Sequence, residues 1–173
     1  MLPFATTTPH RKIRRFRQRT ALCGLLLPAL LLPAQTFAGP EGGVVAHGSA
    51  QIQQNGTVTT ITQSTDRAVL DWQRFNIAAD EAVKFAQPRA QSVTLNRIHD
   101  ANPSTIAGQL SANGHVILAN PNGVMFTSGA TVDVQGLIAS TASPTAEDAR
   151  DFAEGRRHDL PLRVAGKADA AVI

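Results

Sequence analysis

The protein has 173 residues, a formal net charge of +3, no tyrosine and a single cysteine, Cys23. Six of its sixteen basic residues lie before position 20, whereas all thirteen acidic residues lie at Glu41 or later. Ten basic and thirteen acidic residues follow position 38, which gives that part of the chain a formal net charge of −3. This charge removes the main electrostatic argument for a nucleic-acid partner, which needs a basic stripe to neutralise phosphates, and no cysteine remains after position 38 for a disulfide.

The basic cluster is followed by an apolar run of 12 residues, Ala21 to Leu32. As a helix, this run is too short to cross a hydrocarbon core of roughly 30 Å, but it has the length of a signal-peptide core. Pro33 ends the run, and Thr36 and Ala38 occupy the small-residue positions of a cleavage site before Gly39. We therefore interpret residues 1–38 as a secretory signal and residues 39–173 as the exported domain. A membrane anchor is the alternative interpretation of the same run.

The exported part alternates short strand-like runs with turn residues. Residues 39–48 are rich in glycine and predict a flexible lead-in. Runs rich in β-branched residues predict strands over 55–63, 68–77, 81–88, 92–98, 114–121, 123–129 and 130–140. Asn102 and Pro103 predict the cap and first residue of a short helical turn that Gly108 limits. One solvated helix is predicted from Ser143 to Gly155, and alternation resumes at Leu162 and Val164.

Two all-β architectures fit this number of strands, an antiparallel sandwich and a parallel β-helix. The dipeptides Asn113-Gly114 and Asn122-Gly123 are strong hairpin signals when considered alone. The consecutive apolar residues Val116, Ile117 and Leu118 do not show the alternation of a half-buried sandwich strand, and Asn suits the sharp corners between stacked coils. The pattern favours a β-helix of about five or six coils with an open last coil.

Several ordered blocks between Val69 and Thr141 carry a family resemblance. The segments "VLDWQRFNIAADEAVKFAQPRAQSVTLNRI", "NPSTIAGQLSANGHVILANPNGVMF" and "GLIAST" closely resemble the filamentous-haemagglutinin-type secretion domain of two-partner exoproteins. This resemblance implies an all-β, right-handed parallel β-helix with short extra-helical elements. The segment "SPTAEDARDFAEGRR" looks like an enlarged form of the family's polar link. At 135 residues, the exported part is shorter than a usual secretion domain, so we expect a domain truncated at its carboxyl end.

The resemblance also implies a partner and a motif. The partner is the polypeptide-transport-associated (POTRA) modules of a cognate outer-membrane β-barrel transporter, engaged by β-augmentation and shape, and the domain then nucleates β-helix folding. The family's "NPNG" signature falls on Asn120, Pro121, Asn122 and Gly123. Its more variable asparagine motif falls at Asn102 and Pro103, although Ser104 stands where some members carry Asn. The expected location is outside a Gram-negative cell, secreted or at the cell surface.

Other functional classes find little support in the residues. His99 followed by Asp100 is the one adjacent histidine and acid pair, but neighbours in a strand point to opposite faces and would not form a catalytic relay. His47, His99, His115 and His158 lack metal-ligand spacing, so no metal, cofactor or enzymatic activity is expected. Direct adhesion, or binding of a glycan or haem protein, is the alternative function, although exposed aromatic residues are few. A self-standing polymer-forming β protein is a third possibility because an open coil exposes a strand edge.

Overall fold

A computed structural model of the protein describes residues 39–162 and 166–173. The predicted secretory signal, residues 1–38, and the predicted alternation at Val164 lie outside these described residues. The described residues form ten strands and one helix: β1 Val44–His47, β2 Ala50–Asn55, β3 Val58–Gln63, β4 Arg67–Trp72, β5 Ala82–Ala86, β6 Val93–Ile98, β7 Ser104–Ile106, β8 Gln109–Ala119, β9 Val124–Phe126, β10 Thr131–Ser140 and α1 Ala146–Ala153.

Three parallel faces are built from successive turns of the chain. Face A contains β3, β5 and the first halves of β8 and β10. Face B contains β4, β6 and the second halves of β8 and β10. Face C contains β7 and β9, extended by bridges at Ile77 and Val172. Each strand pairs with the equivalent strand one turn earlier, so the described residues form four stacked turns of a parallel β-helix.

The inward side chains of the three faces form one core. Ile61 of face A, Leu70 of face B and Ile106 of face C are all fully buried in a single hydrophobic cluster. Two polar residues of β6, Thr94 and Asn96, are also fully buried in the interior. Asn96 is satisfied there because its Oδ1 accepts a hydrogen bond of 2.9 Å from Trp72 Nε1. The interior is therefore mainly apolar, with hydrogen-bonded polar side chains placed between the turns.

The amino-terminal end of the β-helix is covered by an antiparallel turn. Strand β1 pairs antiparallel with β4, and β2 pairs antiparallel with β3. Glu41 forms a further antiparallel bridge with Arg74. Asn55 and Val58 are paired across a two-residue loop whose first residue, Gly56, has a φ of 57°. The predicted flexible lead-in over residues 39–48 is therefore wrong in part, because Val44–His47 is an ordered strand of this cap.

Helix α1 packs against the outer surface of face B. Thr145 caps the helix by accepting a 3.1 Å hydrogen bond from Asp148 N, and Gly155, with a φ of 74°, follows its end. Ala149 lies in a second apolar cluster with Val69 and Leu95. Arg67 of β4 donates to Phe152 O at 3.0 Å and lies 4.7 Å from the centre of the Phe152 ring. The predicted helix is confirmed, but it begins after Thr145, and one side is buried rather than solvated.

The expected all-β, right-handed parallel β-helix is confirmed as the fold class. Each run predicted as a strand between residues 55 and 140 contains one, although the described residues form four turns rather than about five or six. The predicted helical turn after Asn102 is wrong. Residues Ser104–Ile106 are the strand β7 because their backbone pairs in parallel with β9. None of the helices in the described residues is long and apolar enough to cross a membrane.

Candidate functional site

The segment Asn120–Gly123 forms the corner that joins face B to face C in the third turn. Asn120 is fully buried, and its Oδ1 accepts a 2.9 Å hydrogen bond from Asn122 N. Gly123 N donates back to Asn120 O at 2.9 Å. The φ of Gly123 is 111°, a conformation that L side chains rarely adopt. The residue types of this segment thus supply the turn geometry: an asparagine that hydrogen-bonds local backbone and a glycine with a positive φ.

The same corner contacts the previous turn, where the second predicted motif lies. Asn120 Nδ2 donates to Asn102 O at 3.1 Å and to Ser104 Oγ at 3.0 Å. Asn122 Nδ2 donates to Asp100 O at 2.5 Å. The structure therefore brings the two predicted motifs together, and we call Asn120–Gly123 together with Asn102 and Pro103 the asparagine corner. Within it, Asn120 and Gly123 are buried, Pro121 and Asn122 are partly exposed, and Asn102 and Pro103 are exposed.

The asparagine corner also contacts the following turn. Asn120 N donates to Ser140 O at 3.0 Å, and Lys167 N donates to Pro121 O at 2.9 Å. A Cβ atom on Gly123 would lie only 2.6 Å from Ala171 O. The corner is therefore hydrogen-bonded to a turn on each side, and its glycine is required by close packing as well as by φ.

Asp100 is a member of this site that the sequence pattern did not indicate. Its Oδ1 accepts hydrogen bonds from Asn102 N at 2.9 Å and Asn102 Nδ2 at 3.1 Å. Its Oδ2 lies 3.3 Å from Arg74 Nε, and Arg74 in turn lies 3.4 Å from Glu41 of the cap. Because the side chain of Asp100 is only 7% exposed, these contacts fix the exposed Asn102 on a buried carboxylate. An Asp two residues before Asn is the local signal for such a turn.

A second amide cluster, which the sequence pattern also missed, lies at the corner between faces A and B. Asn113 accepts from Gln87 N and donates to Gln87 O, both at 2.7 Å. Gln87 Nε2 donates to Ser92 O, Thr94 Oγ1 and His115 O at 3.0–3.2 Å. We call Gln87, Asn113 and Gly114, together with the Ser92, Thr94 and His115 groups that accept from Gln87, the glutamine corner. It resembles the asparagine corner in joining neighbouring turns through side-chain amides.

A cluster of charges lies on the outer surface of face B. Arg97 makes two hydrogen bonds of 2.7 Å to the carboxylate of Asp71. His99 Nε2 lies 3.3 Å from Asp71 Oδ1, so the carboxylate that His99 contacts is that of Asp71 rather than that of its neighbour Asp100. Burial alone would raise the pKa of Asp71, but hydrogen bonding and charge from Arg97, together with His99, lower it below the ordinary value of 3.8. Because the carboxylate already holds Arg97, this arrangement is an ion-pair network on neighbouring strands.

The described residues contain no cluster suited to binding a metal ion. No group of three or more His, Cys, Asp or Glu side chains is placed there to hold one. A concave region with a volume of about 500 Å³ lies between face B and the helix. It is lined mainly by apolar side chains, including Ile117, Ile138 and Phe152, and by His115 and His158. It does not include any residue of the asparagine corner.

The sequence and the fold match a known family. The model of the TPS secretion domain matches residues 37–169, and the chain therefore belongs to this family of two-partner secretion domains. The family is one of secretion domains and not of enzymes. Proteins that carry the domain are secreted or surface-exposed in Gram-negative bacteria, and the domain works with a cognate outer-membrane transporter.

Two curated relatives are heme/hemopexin-binding proteins from Haemophilus influenzae. One is 46% identical over 102 residues, which are 59% of this chain and 11% of the relative. The other is 50% identical over 109 residues, which are 62% of this chain and 12% of the relative. The matched region therefore spans about one eighth or less of these relatives.

Among solved structures, the fold is similar to the HMW1 secretion domain from Haemophilus influenzae. The TM-score is 0.67 and the sequence identity is 34%, over 78% of this chain and 34% of the HMW1 chain. The similarity supports both the parallel β-helix and the assignment to secretion domains. It covers about a third of that domain's length.

Proposed function

We propose that this domain is recognised in the periplasm by the POTRA modules of its cognate outer-membrane β-barrel. In this proposal, residues 1–38 direct export to the periplasm and residues 39–173 are the part that the transporter recognises. The asparagine corner serves as the recognition and folding motif. The observation that carries the proposal is that one corner joins both asparagine motifs across consecutive turns of a TPS secretion domain.

The corner divides into a structural part and a presenting part. Asn120 and Gly123 are buried, and their hydrogen bonds are made within the domain, so their role is to hold the turn. Asn102 and Pro103 are exposed beside them, on a backbone fixed by the carboxylate of Asp100. A rigid, exposed pair on a fixed backbone is suited to recognition because little conformational freedom is lost on binding. We therefore place the transporter contact at Asn102, Pro103 and the partly exposed Pro121.

The same hydrogen bonds support a role in folding. The corner donates to the second turn through Asn120 and Asn122 and is bonded to the fourth turn through Pro121. In stacked repeats, each turn is stabilised mainly by its neighbours, so a corner that bonds in both directions favours addition of the next turn. The buried part of the corner is thus the nucleating element of the proposal.

The central experiment is export with and without the transporter. The full chain is expressed in a Gram-negative host with the cognate barrel, and in a matched strain without it. We expect the processed domain in the medium only when the barrel is present, and in the periplasm when it is absent. Equal amounts in the medium of both strains would contradict the proposed function.

A pair of surface variants tests the location of the contact. Pro103→Arg places a charged side chain on the exposed part of the corner, whereas Gln109→Arg places one on exposed face A. We expect Pro103→Arg to reduce export several-fold and Gln109→Arg to leave it unchanged, with similar unfolding midpoints for both, because surface changes of this kind alter stability by about 0.5 kcal/mol or less. Equal export of the two variants would remove the corner from the recognition surface.

A further inference from the structure

The eight-stranded sheet has two terminal strands in the amino-terminal cap, β1 and β2, and their free edges differ. Strand β1 has four residues and an irregular register between Val45 and His47. Strand β2 has six residues, Ala50–Asn55, in an unbroken register with β3. Its sequence, AQIQQN, contains no charged residue and no proline. Natural sheets usually protect an edge with a charge, a proline, a bulge or short length, and β2 has none of these devices.

The hydrogen-bond pattern identifies the backbone groups on the free edge of β2. Ser64 N donates to Ser49 O at 2.8 Å, and the register places Asn55 opposite Val58 across the two-residue loop. Because antiparallel pairs alternate, residues 49, 51, 53 and 55 bond to β3. The N–H and C=O groups of Ala50, Ile52 and Gln54 therefore point away from β3. No strand of the described residues pairs with β2 on that side.

We infer that the free edge of β2 accepts a β-strand from the periplasmic modules of the transporter. This inference rests on the proposed function and adds a second transporter contact, made by strand addition, to the contact placed at the asparagine corner. An added strand gains affinity from main-chain hydrogen bonds and specificity from alternate side chains. The side chains of Gln51 and Gln53 are exposed beside that edge and offer neutral amides to such a strand. The site lies at the capped end, so addition of further turns after β10 leaves it accessible.

Residue-resolved amide exchange tests the inference on the unmodified chain. The ¹⁵N-labelled chain is isolated from the strain that lacks the barrel, and the probe is the purified periplasmic modules of the barrel. In the free chain, Ala50, Ile52 and Gln54 should exchange rapidly, whereas Gln51 and Gln53 should be protected. Saturating modules should slow the first set by at least about tenfold. Bound modules that leave those three amides unchanged would overturn the inference.

Two further outcomes of the same experiment separate the alternatives. Slowing of the three amides with rising chain concentration, in the absence of the modules, would assign the edge to a second copy of the chain and overturn the inference. Export that requires the barrel, combined with unprotected β2 amides in the complex, would overturn the inference but leave the proposed function intact. Export without the barrel would contradict the proposed function itself.

A matched pair of variants at Gln54 isolates one outward N–H. Gln54→Pro removes this N–H, and proline is tolerated at an edge position whose N–H faces solvent. Gln54→Ala removes only the side chain, which lies beside Gly39, and keeps the N–H. We expect the proline variant to bind the modules about tenfold more weakly than the alanine variant. Equal affinities would overturn the inference, and comparison of unfolding midpoints checks that the cap is intact.

Discussion

The two Asn-Gly dipeptides of this domain are nine residues apart and do different things. Asn122-Gly123 is a turn between two strands, and its glycine has a φ of 111°. Asn113-Gly114 lies inside the continuous strand β8, and the φ of Gly114 is not positive. Gly114 is required instead by crowding, because a Cβ there would lie 2.6 Å from Gln87 Oε1 and 2.7 Å from Ser92 O. The role of each dipeptide is therefore decided by the turn of the β-helix that lies beside it.

The asparagines of the two dipeptide regions also differ in burial. Asn120, which begins the asparagine corner, is fully buried and donates to groups of the preceding turn. Asn113 of the glutamine corner is exposed, although it makes two hydrogen bonds of 2.7 Å to the backbone of Gln87. Water can replace the hydrogen bonds of the exposed Asn113 but not those of the buried Asn120. The two corners thus look alike as motifs but should differ in their contribution to stability.

The largest effect should come from removing the buried amide. Asn120→Ala leaves Ser104 Oγ and the Asn102 carbonyl without their donor, and we expect a loss of about 3 kcal/mol in the free energy of unfolding. Asn113→Ala, the matched control at the exposed corner, should cost about 1 kcal/mol. Urea unfolding of both variants measures the difference. Equal losses would show that burial does not distinguish the two corners.

Alanine substitutions of Gly123 and Gly114 should give the next largest effect. Their energetic coupling to Gln87 should distinguish the two glycines. Gly123→Ala places a side chain at a positive φ and should cost about 2 kcal/mol whether or not Gln87 is present. Gly114→Ala should cost a similar amount in the native background but about 1 kcal/mol less in a Gln87→Ala background, because one of its two close contacts is gone. A double-mutant cycle measured by urea unfolding gives both coupling energies. A coupling near zero for Gly114 would contradict the crowding explanation.

Much of the fold could be predicted from local patterns because stacked strands carry strong local signals. The Val and Thr runs that become β3, β6 and β10 were recognisable as strands, and Gly155 marked the end of the helix. The start of that helix was predicted too early, at Ser143, because Ser143, Pro144 and Thr145 all have N-terminal character, but only Thr145 accepts from a helix N–H. Such choices depend on backbone geometry that adjacent residue types do not fix.

The errors came from contacts between distant residues. Asn102 and Pro103 have the local signature of a helix start, but Ser104 N donates to Gly123 O in the next turn, and this pairing makes the segment a strand. The antiparallel cap was missed because no pattern in residues 44–55 indicates that they pair with β3 and β4. Gln87 was missed for the same reason, because its hydrogen bonds reach residues that are near only after the turns stack, whereas Asp100 was missed although its side chain bonds locally to Asn102. The sequence pattern does not specify the register between neighbouring turns.

The smallest effect should come from a charged side chain rather than from an amide. The pKa of Asp71 is lowered, so its ion pairs contribute stability above the unfolded value of 3.8, and this contribution is lost as the pH falls through the still lower folded value. Asp71→Asn should therefore cost about 1 kcal/mol at pH 7, given the partial exposure of the pair. The deficit should shrink below pH 3.8.

Asn120→Ala provides the control because an amide does not titrate in this range. Its deficit should stay constant while that of Asp71→Asn closes, and urea unfolding at a series of pH values measures both. The two corners would then be stabilised by side-chain amide hydrogen bonds that do not depend on pH. The pH-dependent part of the stability would come from the ion pairs on the outer surface of face B. A constant deficit for Asp71→Asn would mean that Arg97 does not stabilise the carboxylate, whereas a closing deficit for Asn120→Ala would mean that loss of the buried amide perturbs a nearby charge such as Asp100.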